Sequence, residues 1–259
     1  MKEYRVVTMH SENLDKDKRL FIYLPEDYTQ TETFYPVLYM HDGQNLFDDA
    51  VAPYGQSWRI IEQFQIHDDL PKMIVVGIES DKDDRSDELI PYRFEYFDHE
   101  KAGGKADAYL DFITRQVKPY IDKRFRTLKS PKHTALMGSS FGAVNTLYAA
   151  LEYEHFFSRY ACLSNAYLFE GFKNPMDQRL KGKVFTILKK LYIDVGTNEH
   201  KNIDIQKTYL SNNKALRDTL QAKLTKDAFT FKIIEDGKHH ESDWEKRFAD
   251  IIRVLFQEV

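Results

Sequence analysis

The sequence predicts an α/β fold, a mostly parallel sheet of eight strands with an antiparallel N-terminal edge and helices on both faces. Three observations predict it. Six short apolar segments, several rich in β-branched residues, follow one another along the chain, and the four in its second half alternate with stretches of helical spacing. Two earlier segments flank a polar turn, as in a hairpin. A chain of 259 residues, 42% of them hydrophobic, is long enough to cover a sheet on both sides.

Element by element, residues 4–9 and 19–24 read as the hairpin, with 15–18 as its turn. Residues 36–40 (Val-Leu-Tyr-Met behind a proline) and 73–78 (Met-Ile-Val-Val-Gly-Ile) are apolar on both faces, as a doubly covered parallel sheet requires. Further strands are expected at 133–137, 160–163, 191–195 and 229–234, and helices at 107–124, 143–153, 205–224 and 242–259. Strand and helix alternate, which implies right-handed crossovers. No repeat or low-complexity linker divides the chain, so residues 1–259 are expected to form one domain. Two long connections, 79–105 and 165–190, leave the carboxyl ends of strands, where open α/β sheets bind ligands. They carry aromatic residues, among them Tyr92, Phe94, Tyr96, Phe97, Tyr167, Phe169 and Phe172, and are expected to wall a pocket.

Composition excludes several classes of function. Thirty-seven basic and 41 acidic side chains give a net charge of −4, with no excess to attract a phosphate backbone or an anionic membrane, so neither nucleic acid nor membrane is an expected partner. The lone Cys162 can form no intramolecular disulfide and no cysteine cluster. Early Lys2, Glu3 and Arg5, with no apolar run behind them, do not resemble a secretory signal, and a cytoplasmic location is expected. Zinc, EF-hand, P-loop and dinucleotide motifs are absent, so no cofactor and no metal is expected; the acidic run from Asp81 to Glu88 reads as a solvated loop. Self-association stays open.

Chemistry enters at Gly138-Ser139-Ser140-Phe141-Gly142, directly after an apolar strand and before a helical stretch. A nucleophile in such a sharp turn needs small flanking residues, which makes Ser140 the centre. A serine hydroxyl needs a base, and His239 and His240 both stand on the loop after the last strand. Imidazole in turn needs a carboxylate to fix its tautomer. Glu199 is placed on the loop after the strand at 191–195, while Asp194, still within the strand, is the alternative. The oxyanion that forms requires two N–H donors, expected from Phe141 and, on the loop His41-Asp42-Gly43-Gln44, from Gln44. His41 lies close enough to belong to the site.

These residues resemble the Putative esterase family, a branch of the α/β-hydrolases that includes enterochelin-type siderophore esterases, feruloyl and acetyl-xylan esterases, S-formylglutathione hydrolase and mycolyl transferases. The similarity spans most of the chain. It rests on residues 39–48, on Val75-Val76-Gly77-Ile78 with Arg85, Glu88 and Pro91 after it, on residues 138–143, on Asp194-Val195-Gly196-Thr197-Asn198-Glu199, and on Gly237-Lys238-His239-His240-Glu241 with Trp244. The resemblance implies Ser140 as nucleophile, Glu199 as acid and His239 as base, with Arg85, Glu88 and Trp58 shaping the substrate pocket. It implies a small ester as substrate, with a siderophore-type or aromatic ester favoured by the aromatic, Arg-bearing loop. Acyl transfer through the same acyl-enzyme and a non-catalytic binding role are the competing expectations. Glutamate stands where many relatives have aspartate, and His240 where asparagine is common.

Overall fold

The computed structural model describes residues 4–80, 82–96 and 99–256. An N-terminal hairpin, β1 (Tyr4–Ser11) and β2 (Lys16–Tyr23), leads into β3 (Val37–Met40), α1 (Ile60–Ile66), β4 (Ile74–Ile78) and the short α2 (Arg85–Leu89). A two-stranded ribbon, β5 (Phe94–Glu95) and β6 (Lys101–Ala102), precedes α3 (Ala106–Asp111) and α4 (Lys118–Arg124). Then strands and helices alternate: β7 (Thr134–Ser139), α5 (Phe141–Glu152), β8 (Arg159–Leu163), α6 (Glu170–Gly182), β9 (Lys190–Asn198), α7 (Ile203–Gln221), β10 (Phe229–Lys238) and α8 (Glu241–Phe256).

The described residues form an eight-stranded sheet in the order β1-β2-β4-β3-β7-β8-β9-β10, antiparallel across β1, β2 and β4 and parallel from β4 to β10. Successive side chains of a strand point to opposite faces, and the core divides accordingly. Val37 and Tyr39, with Ile74 and Val76, join one cluster that receives α3, α5, α6 and α7. Leu38, Met40 and Val75 join the other, which receives α1 and α8. This double burial explains why β3, β4 and β7 carry almost no polar residue.

The order of strands also makes the site. Chain order reverses at β3, which lies between β4 and β7, so the loops leaving β3 and β7 emerge side by side.

Several elements differ from the sequence expectation. The hairpin turn falls at 12–15 rather than 15–18, because β2 already pairs Lys16 with Ser11, and α1 and α2 have no counterpart among the expected helices. The helix at 107–124 is continuous but widens to π geometry over residues 112–117, just before Pro119, which has no N–H to give to the preceding turn. β10 runs four residues further than 229–234 because a register shift between Ile234 and Lys238 carries the ladder past the polar Glu235 and Asp236. The connection 165–190 holds a full helix, α6, packed through Phe172, Met176 and Leu180. Asp81, Phe97 and the last three residues of the expected C-terminal helix lie outside the described residues. Among the described residues no helix is long and apolar enough to cross a membrane.

Candidate active site

Only Ser140 separates β7 from α5. Its backbone sits at φ 59° and ψ −122°, a conformation that costs a non-glycine residue strain. The turn is tight enough that a Cβ on Gly138 would stand 2.6 Å from the main chain of Gly142 and from the His41 ring. Glycine at both positions is what lets the serine protrude. The Ser140 side chain makes no capping bond to the helix it precedes, so its hydroxyl is left for chemistry. Phe141, the next residue, opens α5 with an N–H that no main-chain carbonyl takes among the described residues.

Strand pairing brings Glu199 and His239 together. After its shift, β10 pairs Lys238 with Asn198 of parallel β9, so the following residues, His239 and Glu199, emerge together. His239 Nδ1 is 2.8 Å from Glu199 Oε2, and the Gly196 N–H donates to Oε1 at 2.6 Å. Burial alone would push the Glu199 carboxyl up. The hydrogen bond and charge of His239, with the hydrogen bond from Gly196, outweigh it and hold the group below the usual glutamate range. Trp244 meets the His239 ring edge-on at 5.2 Å, and Tyr209 packs on it at 5.7 Å. Ser140 and His239 share no hydrogen bond here, and such bonds tighten when substrate binds.

The two alternatives left by the sequence take other roles. His240 is exposed, and its carbonyl and Nδ1 accept the first free N–H groups of α8, those of Asp243, Trp244 and Ser242. Asp194 is fully buried in the middle of β9, where its carboxylate is held by the Ser164 N–H at 2.7 Å, the Tyr192 hydroxyl at 2.9 Å and the Arg247 guanidinium at 3.1 Å.

The loop after β3 is fastened at every residue. Asp42 adopts the left-handed conformation and starts a 3-10 turn, Gly43–Asn45. Gly43 presses on β4 so closely that a Cβ there would lie 2.6 Å from the Gly77 carbonyl carbon. Arg85 holds Asp42 through two hydrogen bonds, the Ser80 N–H donates to Gln44 Oε1 at 3.3 Å, and Asn45 Nδ2 donates to the buried Glu241 at 3.2 Å. The Gln44 N–H, like that of Phe141, has no main-chain partner among the described residues. Burial would raise Asp42, but the charge of Arg85 holds its carboxyl below the usual range.

Three residues expected in the substrate pocket support the site from behind instead. His41 is 2% exposed, wedged between the glycines of the serine turn and Tyr109, and burial lowers its pKa to about 4. Glu88 is 1% exposed and its carboxylate is engaged by the equally buried Lys18. Trp58 lies in the core against Trp244. Arg85 keeps partial exposure, but two of its nitrogens belong to Asp42. The acidic run is packed rather than solvated: Asp84, Asp87 and Glu88 pair with Lys16, Lys105 and Lys18.

An aromatic wall does flank the serine turn. Phe94 of the ribbon and Phe172 of α6 meet the Phe141 ring at 5.6 and 6.3 Å, and the partly exposed Tyr96 and Phe169 close on it at 6.0 and 6.3 Å. Sequence reading passed over Ser164, Arg247 and Tyr209. Their signal was topological, since each lies on an element that meets the carboxyl ends of β8 and β9.

Sheet order, a strained serine between strand and helix, and a carboxylate–imidazole pair on the last two strands' loops are those of an α/β-hydrolase fold. The sequence matches the Esterase family (Putative esterase) over residues 11–255. The chain belongs to that family and is an ester hydrolase. It is 25% identical over 255 residues to the uncharacterized protein YbbA of Bacillus subtilis (strain 168), covering 95% of each chain. Its fold is similar to an IroE-like serine hydrolase from Shewanella oneidensis, with TM-score 0.79, 23% identity, and coverage of 98% of this chain and 80% of that one. It is also similar to the enterochelin esterase of Shigella flexneri, with TM-score 0.75, 18% identity and 98% of this chain covered, though this chain spans only 59% of that protein.

Proposed function

We propose that the protein is a serine esterase in which Ser140 is the nucleophile, His239 the general base and Glu199 the residue that orients it. The observation that carries this reading is the Glu199–His239 bond at Nδ1, which leaves Nε2 as the ring's other polar atom to meet a serine proton. As Ser140 Oγ attacks the ester carbonyl carbon, its proton passes to His239 Nε2. The carbonyl oxygen becomes an oxyanion within reach of the Gln44 and Phe141 N–H groups, where positive charge from the α5 N-terminus adds to the stabilisation. Collapse breaks the bond to the alcohol oxygen, which leaves with the proton from His239, and Ser140 is acylated. Water, deprotonated by the same imidazole, then attacks the acyl carbon; the Ser140 oxygen departs, recovers its proton, and a carboxylate is released.

The substrate in this reading is an aromatic or siderophore-type ester. The wall of Phe141, Tyr96 and Phe169 supports it, because aromatic rings pack favourably edge to face. Similarity to an enterochelin esterase points the same way.

Intact mass after fluorophosphonate treatment tests the assignment, run beside Ser140→Ala and with p-nitrophenyl ester turnover. A single adduct on wild type alone is expected. Absence of an adduct on folded wild type would overturn the assignment. A screen of catecholate lactones against aliphatic esters then tests the substrate class.

A further inference from the structure

Two residues that the steps above do not use meet across the site. Asn45 ends the 3-10 turn that presents the Gln44 N–H, and Glu241 opens α8, two positions after His239. Both are buried, and Asn45 Nδ2 donates to Glu241 Oε1 at 3.2 Å. The main chain of Asn45 is committed elsewhere, its N–H to the Asp42 carbonyl at 2.8 Å and its carbonyl to the Trp58 N–H at 2.9 Å. Its side chain is what reaches α8.

The contact belongs to a seam. Glu241, Trp244 and Glu245 stand at i, i+3 and i+4, on one face of the first turns of α8. All three touch the stretch that follows β3: Glu241 holds Asn45, the Trp244 ring lies 5.8 Å from that of Trp58, and Glu245 Oε2 accepts from Gln56 Nε2 at 3.1 Å. Trp244 also meets the His239 ring, so the seam runs directly beside the imidazole.

Keeping the buried pair costs stability. A carboxylate taken out of water is expensive, and among the described residues Asn45 Oδ1 has no hydrogen-bond partner. Two apolar side chains of similar size would pack there without that cost. A helix start favours an acidic residue at Glu241, but it does not call for burial against an amide.

We propose that the Asn45–Glu241 hydrogen bond fixes the loop that offers the Gln44 N–H against the loop that carries His239. The proposal rests on the triad and oxyanion reading above. Acylation needs both loops at one moment, because the proton reaches His239 as negative charge gathers on the carbonyl oxygen. Asn45 and Glu241 are positioning residues, acting through the groups one and two positions away from them.

Two paired replacements separate the bond from the packing around it. Asn45→Leu with Glu241→Met keeps the volume and leaves neither partner buried alone, so this pair is expected to fold with a Tm at or above that of wild type. Glu241→Met alone breaks the bond from one side without leaving a buried charge, and covers the case in which the apolar pair folds poorly. Asn45→Asp with Glu241→Gln exchanges donor and acceptor and keeps the bond. The readouts are p-nitrophenyl ester kinetics per folded molecule, thermal unfolding, and the rate of fluorophosphonate adduct formation. Both bond-breaking variants are expected to lose about 10- to 100-fold in kcat with KM little changed, as for a shift of catalytic groups by up to about 1 Å, and to take the adduct more slowly in parallel. The exchanged pair should recover most of the loss. Wild-type kcat in a folded bond-breaking variant, or an exchanged pair as slow as the apolar one, would overturn the proposal while leaving the triad intact. Wild type that neither turns over ester nor takes an adduct would overturn the triad reading itself.

Discussion

The guanidinium of Arg85 on α2 grips the carboxylate of Asp42 on the loop after β3, Nε at 2.7 Å from one oxygen and Nη2 at 2.8 Å from the other. Asp42 is the left-handed residue that starts the 3-10 turn presenting the Gln44 N–H, so a planar fork on one element sets the direction of a donor on another.

Arg85→Lys keeps the charge and loses the fork. With the loop less constrained, kcat should fall by about 10- to 100-fold, less than the roughly 10²- to 10³-fold cost of removing an oxyanion donor outright, with a smaller change in KM. Steady-state kinetics on a short p-nitrophenyl ester checks this. Equal kcat in Arg85→Lys and wild type would show that Gly43 against Gly77 is enough to hold the turn.

His239 and His240 should separate cleanly. His239→Gln is expected to lose about 10³-fold or more of ester turnover, since the Glu199 partner and the base disappear together. His240→Ala should keep its turnover and lose about 1 kcal/mol of stability, the usual cost of removing a side-chain acceptor at a helix start. Parallel kinetics and urea unfolding read both.

Ser140→Gly should raise stability while abolishing turnover. The wild-type φ of 59° strains a residue with a Cβ, and glycine relieves about 1 kcal/mol of that strain. Thermal unfolding of the two proteins measures it, and an unchanged or lower Tm for the glycine variant would mean that the turn stores no strain.

His41 makes stability depend on pH. Its folded pKa, lowered to about 4 by burial from an ordinary 6.5, means that the unfolded chain binds the extra proton between these values. The stabilisation is therefore complete above pH 6.5 and is lost as pH falls toward 4, by about 3 kcal/mol in all. Below that window the depressed carboxyls of Glu199 and Asp42 add to the loss as they protonate. Urea unfolding of wild type and His41→Gln at intervals from pH 7 to 4 should show a steeper upper slope in wild type, the variant keeping only the part that His133, also lowered by burial, contributes.

What the sequence made legible were features written in local pattern. The apolar runs of β3, β4 and β7 are buried on both faces, and glycines flank Ser140 because the turn admits nothing larger. Gly196 reads in the sequence as the end of its strand, yet β9 continues through it to Asn198, and Glu199 still falls just beyond the strand. What stayed hidden depends on pairings between distant residues. Nothing near Glu88 announces that Lys18, seventy positions earlier, will meet it inside the protein. Which of His239 and His240 meets Glu199 follows from the register of Lys238 against Asn198, which spacing does not encode. The helix α6 was concealed by its own composition, with Gly171, Pro175 and Gly182 in a stretch that packs by three apolar side chains.

That hidden pair, Lys18 of β2 with Glu88 of α2, supplies a last test. Both side chains are at most 2% exposed, so each has lost its hydration and depends on the other. Removing one partner leaves a buried charge without compensation, and Lys18→Met or Glu88→Leu alone should each cost about 3–5 kcal/mol. The double variant replaces both charges with apolar groups of similar volume and should recover most of that loss, through a coupling of several kcal/mol in the double-mutant cycle. Because α2 also carries Arg85, the single variants should slow ester turnover more than their loss of folded protein explains, as the grip on Asp42 loosens. Turnover per folded molecule that stays at the wild-type level in both single variants would mean that Arg85 is held by Asp42 alone, with Lys18 and Glu88 serving only the core.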